Sequence, residues 1–232
     1  MITQELYIII TSGGIGQRMQ SSVPKQFLPL EGIPVLCRTL MAFEPWHEKA
    51  HFIVTIPSDH ITTWKSISCQ HSLPDHIICT GGDTRFQSVK NALEHVPDNE
   101  NAIVLVHDGV RPLVQEETIS EAILTAQQYG SAIPYVPITA SLRRLSTDGR
   151  SEAVNRTGMV QIQTPQAFKA KLLKEAYQQD YRPEFTDDAT VYEAAGHKLF
   201  FFEDNDSNIK ITTPSDLDKA SFLLKCKNAY HE

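Results

Sequence analysis

The chain has 232 residues, 41% of them hydrophobic and 21% charged, the composition of a water-soluble globular protein with room for a sizeable core. Its formal charge of −7 argues against general affinity for nucleic acid, so any anion site has to be a local cluster of cations. No apolar run approaches a membrane span, and residues 6–10 are too few, and too soon followed by a Gly-rich loop, for a signal peptide. Cys37, Cys69, Cys79 and Cys226 are scattered without C-x-x-C pairing and read as reduced thiols, which sets the expectation of a cytoplasmic protein.

The first predicted element is the β-branched run Leu6 to Thr11, read as a buried parallel strand. It breaks into Ser12-Gly-Gly-Ile-Gly-Gln-Arg-Met19, continued by Val23-Pro-Lys-Gln-Phe27. Gly13, Gly14 and Gly16 remove side chains that would keep a phosphate away from backbone N–H groups, and Arg18 and Lys25 follow with two positive charges. The loop is not a P-loop, because Gly16-Gln17-Arg18 stands where Gly-Lys-Ser/Thr is required. It is not a full dinucleotide fingerprint either, because Met19 replaces the third Gly. A plain glycine turn after a first strand is the alternative reading of the loop taken alone. With Arg18 and Pro24-Lys25-Gln26 included, the order Gly-Gly-x-Gly-x-Arg-Met…Pro-Lys-Gln resembles the opening of the sugar-nucleotide-forming nucleotidyltransferases, and among them the cytidylyltransferases of small polyol phosphates.

Pro34 to Phe43 has helical spacing and ends at Pro45. His47-Glu-Lys-Ala-His51 matches the zinc-protease string H-E-x-x-H, whose chemistry needs both His on one helix; a Pro just before and a strand just after make this a chance match. Phe52 to Ile56 is the second predicted strand, Ile61 to His71 a helix with Trp64 on its apolar side, and Ile77 to Cys79 a third strand. Gly81-Gly82-Asp83 then opens a loop at a strand's carboxyl end, where ligands of α/β sheets bind, although a turn plus a helix-capping Asp is the bland alternative. Ser88, on the first turn of the predicted helix Phe86 to His95, faces the same mouth.

Ile103 to His107 reads as the central strand, closed by Asp108-Gly-Val-Arg-Pro112. Asp108 can approach a ribose, a magnesium ion or both; Arg111 can take a phosphate or lock a loop carboxylate. Glu116 to Tyr129 is an amphipathic helix, and Ser131 to Val136 another strand. The alternation predicts a Rossmann-like, doubly wound, mostly parallel α/β sheet in a single domain over residues 1–232.

Residues 138–160 break that rhythm, alternating polar and apolar around the hairpin signal Asp148-Gly149. A two-stranded ribbon is marginal unless packed against something, and a second copy of the chain is the expected partner, giving a homodimer through a projecting β-arm. Lys169 to Tyr177 returns to helix, and Thr186 to Ala195 is another, with Asp187 and Asp188 in its first turn where the helix dipole favours them. Leu199 to Phe202 is the last predicted strand. In Asn208-Ile-Lys-Ile-Thr-Thr-Pro214, Thr213, Pro214 and Asp216 set the start of the C-terminal helix, and Lys210 sits among apolar neighbours.

The family resemblance extends to Gly81-Gly82-Asp83, His107-Asp-x-x-Arg-Pro112, the arm, Gln163-Thr-Pro-Gln166 and Asn208-Ile-Lys-Ile-Thr212, and so covers essentially the whole chain. It implies transfer of CMP from CTP to a polyol phosphate, with Mg²⁺ carried mainly on the triphosphate and no certain protein ligand, Asp108 being the candidate. It implies Arg18, Lys25 and Lys210 as catalytic cations. The implied CTP site is Ser12, Gly13, Gly14, Gly16, Gly82, Asp83, Ser88, Asp108 and Gly109. Arg111, Ser141, Arg156 and Thr164 are the implied substrate contacts, some from an arm that clasps the second subunit. The departure is Ala140-Ser141, where the family usually has Asp-Thr. The segment Val154-Asn-Arg156 favours 2-C-methyl-D-erythritol 4-phosphate as acceptor over ribitol 5-phosphate. From other classes, a non-catalytic nucleotide-binding module would have lost its cations, and an NAD oxidoreductase would need the missing glycine.

Overall fold

The computed structural model describes residues 5–13 and 23–229. Twelve strands and seven helices are seen among them. The first half runs β1 (Leu6–Thr11), β2 (Pro29–Leu30), β3 (Ile33–Pro34), α1 (Val35–Met41), β4 (His51–Ile56), α2 (Ile61–Ser68), β5 (His76–Thr80), α3 (Arg85–Leu93) and β6 (Ile103–Asp108). The second runs α4 (Glu116–Tyr129), β7 (Ser131–Pro137), β8 (Leu142–Leu145), β9 (Ser151–Val154), β10 (Val160–Ile162), β11 (Gln166–Lys169), α5 (Ala170–Ala176), α6 (Asp188–Ala194), β12 (Phe201–Glu203) and α7 (Pro214–Ala229).

The main sheet has the order β10-β7-β11-β6-β1-β4-β5, with β12 also pairing with β7. Pairs β6–β1, β1–β4, β4–β5 and β7–β12 are parallel, whereas β11 runs antiparallel between β6 and β7, and β10 antiparallel to β7. The sheet is therefore mixed with a parallel core. The direction of strand addition reverses between β1 and β6, which makes their carboxyl ends a topological switch point. Register brings Thr11 beside Asp108 there, so the first loop and the central motif emerge side by side.

Burial explains why β1 is central. Leu6, Ile8 and Ile10 pack with Leu36, Leu40, Trp64 and Ile119 on one face, while Tyr7 and Ile9 pack with Val89, Leu93, Leu173 and Val191 on the other. The two-residue period of the strand divides the run between two layers of helices. Ile8, Ile9 and Ile10 have no exposed surface, and each such side chain contributes about 1.5–3 kcal/mol of hydrophobic stabilisation. A third cluster, including Leu30, Val35, Val110 and Ile211, seats α7 beside the site.

The elements differ from expectation mainly at their ends and at β10 and β11. The predicted helix ending at His71 stops at Ser68, and the last strand is Phe201–Glu203 rather than Leu199 to Phe202. Gln166–Lys169, directly ahead of the helix expected from Lys169, is strand β11, an element the sequence does not predict. Strands β8 and β9 form a separate antiparallel ribbon in which Leu142 pairs with Val154 and Leu145 with Ser151, and their side chains are mostly exposed. His51 opens strand β4 and stacks on Tyr7, so His47 and His51 do not share a helix as H-E-x-x-H chemistry requires. Among the described residues no helix is long and apolar enough to cross a membrane.

Candidate active site

The carboxyl ends of β1, β5 and β6 surround a pocket lined by Ser12, Gly13, Lys25, Asp83, Arg85 and Asp108, with Lys210 and Gln26 also on its wall. Residues separated by up to two hundred positions thus share one mouth, and within it three cations face two carboxylates on a chain that is acidic overall. The arrangement is a cradle for a polyanion.

Each wall is fixed by its own sequence. Lys25–Phe27 makes a short 3-10 turn after Pro24, and buried Gln26 donates from Nε2 to the Ser12 carbonyl at 3.1 Å, tying that turn to the end of β1. Lys25 Nζ donates to the Ile211 carbonyl at 3.3 Å, which links the turn to the last motif. Ser12 is buried, and its hydroxyl has no hydrogen-bond partner among the described residues. A buried hydroxyl on a pocket wall costs free energy until a ligand satisfies it.

On the opposite wall, Ser88 braces the Gly81-Gly82 loop: its hydroxyl accepts from Gly82 N–H at 3.0 Å and donates to the Thr84 carbonyl at 3.0 Å. A Cβ at Gly13 or at Gly81 would lie 3.3 Å from that hydroxyl, so the two loops close on Ser88 because they carry no side chains. The Ser88 hydroxyl is engaged inside the loop, and Asp83, Thr84 and Ser88 are the residues of this wall that line the pocket. Gly109 is equally enclosed, since a Cβ there would meet Leu36 Cδ1 at 2.9 Å and the Thr11 carbonyl at 3.0 Å.

Asp108 is the electrostatic centre. Its Oδ2 receives Lys210 Nζ at 3.0 Å and Arg111 Nε at 3.2 Å, while Arg85 Nε stands 3.6 Å from Oδ1. Burial by itself raises a carboxyl pKa, but Lys210, Arg85 and Arg111 together outweigh it and hold Asp108 well below the usual carboxylate range. Beneath it, buried His107 places Nε2 3.0 Å from the Arg111 carbonyl and Nδ1 3.1 Å from the Thr164 hydroxyl. Facing a carbonyl, Nε2 carries the proton, which leaves Nδ1 to accept from Thr164. Burial lowers the His107 pKa to about 4, so the ring is neutral and acts as a strut.

The candidate residues separate into five groups. Ser12, Gly13, Lys25, Asp83, Ser88, Asp108 and Lys210 line the pocket together. Gly82 and Gly109 shape the loops beside it. Arg111 is buried and donates from Nη1 to the Asn208 carbonyl at 2.7 Å as well as to Asp108, so of its two open roles the geometry has it locking the loop. Thr164 is also buried, its hydroxyl accepting from Asp108 N–H at 3.1 Å. Ser141 and Arg156 lie exposed at the arm, where Arg156 donates to the Thr139 carbonyl across its base, and they do not line the pocket of their own chain. Gly14, Gly16 and Arg18 lie outside the described residues.

Arg85 and Gln26 line the pocket without having been given a site role from the sequence, although Gln26 belongs to the Pro-Lys-Gln motif. A signal for Arg85 existed: an arginine in the first turn of a helix opposes the helix dipole and calls for carboxylates nearby. It finds two. Besides facing Asp108, Arg85 Nη2 lies 2.6 Å from Oδ2 of Asp188, which has no exposed surface.

Comparison with known proteins identifies the family. The family profile of IspD, 2-C-methyl-D-erythritol 4-phosphate cytidylyltransferase, matches residues 6–226. The protein of that name from Bacteroides fragilis is 46% identical over 217 residues, spanning 93% of this chain and 98% of its own. Its counterpart from Porphyromonas gingivalis is 45% identical over 223 residues, spanning 95% and 98%. Among solved structures, 2-C-methyl-D-erythritol 4-phosphate cytidylyltransferase from Francisella tularensis superposes with a TM-score of 0.80 at 28% identity, over 95% of this chain and 100% of that one. The enzyme of the same name from Thermus thermophilus superposes with a TM-score of 0.74 at 27% identity, over 97% and 100%. With its pocket residues drawn from the motifs that carry the resemblance, and a match along nearly its whole length, the chain belongs to the 2-C-methyl-D-erythritol 4-phosphate cytidylyltransferase family.

Proposed function

We propose that this pocket transfers CMP from CTP to 2-C-methyl-D-erythritol 4-phosphate, releasing pyrophosphate. The observation that carries the reading is the convergence of Lys25, Lys210 and Asp108, from three separate motifs, on one pocket at the switch point of the sheet. A phosphate oxygen of the acceptor attacks the α-phosphorus, forming a new P–O–P linkage as the α–β linkage breaks. The triphosphate carries roughly four negative charges and the acceptor phosphate about 1.5 to 2, so charge repulsion is the main obstacle. The nucleophile is already ionised, and positioned cations rather than a general base answer the problem.

Lys25 and Lys210, joined by Arg18 from the first loop, neutralise the phosphates on either side of the reacting phosphorus. The Gly81-Gly82-Asp83 backbone, braced by Ser88, forms the edge that reads cytosine, and the Ser12 hydroxyl gains its partner from the nucleotide. Asp108 and Gly109 run along the ribose. Wrong bases leave these buried groups unpaired, which is the strong form of discrimination.

The donor set fits Mg²⁺ bound with the nucleotide: of the two hard carboxylates on the pocket wall, Asp83 and Asp108, Asp108 has Oδ1 short of a formed hydrogen bond. Among the described residues no three His, Cys, Asp or Glu side chains are grouped to hold a metal by themselves. When bound, Mg²⁺ neutralises triphosphate oxygens and polarises the α-phosphorus. In this reading the arm, residues 138–160, clasps a second subunit and carries Ser141 and Arg156 toward the partner's acceptor phosphate.

The test is pyrophosphate release with CTP and Mg²⁺, run with methylerythritol phosphate and with ribitol 5-phosphate. Turnover with the first alone is expected. Turnover with ribitol 5-phosphate alone would reassign the acceptor, and no turnover with either would remove the reading.

A further inference from the structure

Two buried carboxylates compete for one guanidinium at the rim of the pocket. Arg85 is the first residue of α3 and about a quarter exposed, whereas Asp188 and Asp108 are buried on either side of it. The contest is unequal. Nη2 is 2.6 Å from Asp188 Oδ2, a formed charge-assisted hydrogen bond, while Nε stops 3.6 Å from Asp108 Oδ1.

Asp188 is built to win. Its other oxygen, Oδ1, accepts from the Tyr177 hydroxyl at 2.6 Å. The Tyr177 ring stacks on Phe86, the residue after Arg85, with centroids 4.8 Å apart, so the start of α3 and the anchor of Asp188 move together. Asp187 caps α6 through Thr190 N–H at 2.9 Å, and Gln166 accepts from Ala189 N–H at 2.9 Å, which fix the backbone on both sides of Asp188.

The consequence falls on Asp108. Its Oδ2 is already engaged by Lys210 and Arg111, so Oδ1 is its remaining acceptor. Resting on the functional reading above, we propose that Asp188 is a positioning residue of the nucleotide pocket: by drawing Arg85 to itself it stops the guanidinium short of Asp108 Oδ1 and leaves that oxygen open to the bound nucleotide. Without the Asp188 charge, no second carboxylate balances the pull of Asp108, and Arg85 closes to hydrogen-bonding distance of Oδ1. The pocket then loses an acceptor although no residue touching the nucleotide has been changed.

The test is CTP affinity by titration calorimetry on the full-length protein, with thermal melting to follow folding, for Asp188→Asn, Arg85→Met and the double variant. Asp188→Asn is expected to bind CTP about tenfold more weakly than the unaltered protein. The double variant is expected to bind within twofold of Arg85→Met and at least threefold more tightly than Asp188→Asn, because no guanidinium is left to close on Asp108. A merely structural Asp188 gives the opposite pattern, a double variant at least as weak as Asp188→Asn, and that result, or unaltered affinity in Asp188→Asn, overturns the proposal. If Asp188→Asn does not fold, Tyr177→Phe carries the test: it keeps both charges and is expected to weaken CTP binding about threefold, and unchanged binding overturns the proposal. Failure of the unaltered protein to bind or turn over CTP would instead strike the functional reading itself.

Discussion

Lys210 Nζ lies 3.0 Å from Asp108 Oδ2, so the last motif of the chain closes on the carboxyl end of its central strand. The two partners are unlike. The Asp108 side chain is 8% exposed and held from several sides, whereas Lys210 is 42% exposed and reaches from the segment before α7. Lys210 is therefore the cation able to turn from Asp108 to an arriving phosphate with little rearrangement. Its ion pair is worth little to stability at that exposure, and its charge is worth far more against a transition state.

Lys210→Ala and Lys25→Ala are accordingly expected to leave melting temperature nearly unchanged while each lowers kcat by about 100-fold or more, the usual cost of removing one stabilising group from a charged transition state. Steady-state pyrophosphate release beside thermal melting checks both halves. A variant that keeps full turnover takes its lysine out of the catalytic set.

His107 makes folding pH-dependent. Its pKa falls from about 6.5 unfolded to about 4 folded, because burial disfavours the charged ring, so between those values the unfolded chain binds more protons. Stability therefore declines as pH drops from 6.5 toward 4, by about 2 to 3 kcal/mol for this one group, and is fully present above 6.5. Asp108, depressed by its cations, adds a loss of the same sign, but below the ordinary carboxylate pKa near 4. Denaturant unfolding at pH 4.5, 5.5, 6.5 and 7.5 should show this decline, and His107→Asn should flatten it; equal slopes in the two proteins would exclude His107 as its source.

How much of this was legible in the sequence depended on where each signal was written. Strands β1, β4 and β6 are runs of β-branched and apolar residues, and the loops after β1, β5 and β6 carry Gly, Asp and cations in a recognisable order, so most of the pocket lining could be read from the sequence. Strand β11 could not, because Gln166–Lys169 is four residues long with a Pro before it and a helix directly after, too short to display a period. Pairing was equally hidden. Arg85 and Asp188 are 103 residues apart, and Gln26 reaches Ser12 only because a turn folds it back beneath β1. Asp187 and Asp188 were both read as helix-dipole acids. The structure separates them: Asp187 is the cap and Asp188 is the buried partner of Arg85.

Gly109 has no room for a methyl group. Its added Cβ would press on Leu36 Cδ1 at 2.9 Å, the Thr11 carbonyl at 3.0 Å and Ile10 Cγ2 at 3.3 Å, and the carbonyl belongs to the central sheet and cannot give way. Gly109→Ala is expected to destabilise by about 1–3 kcal/mol, the range for overpacking, and to raise KM for CTP as Asp108 shifts with it. Chemical denaturation and steady-state kinetics measure the two effects. Unaltered stability would mean that the loop after β6 relaxes freely.

Deleting the arm separates fold from assembly. Strands β8 and β9 are joined by the turn around Asp148-Gly149, where Gly149 has φ +82°, and Leu145 at their tip end is 75% exposed. Neither strand belongs to the main sheet or to a core cluster, so replacing residues 139–158 with a short linker should change stability by little. Activity should nevertheless vanish, because Ser141 and Arg156 go with the ribbon and a two-stranded hairpin needs a second surface to be held in place. Sedimentation is expected to report a dimer for the full chain and a monomer after deletion, with the far-ultraviolet circular dichroism of the remaining α/β sheet retained. A fully active monomer would show that the pocket of one chain is complete in itself, and that Ser141 and Arg156 contribute nothing to the acceptor.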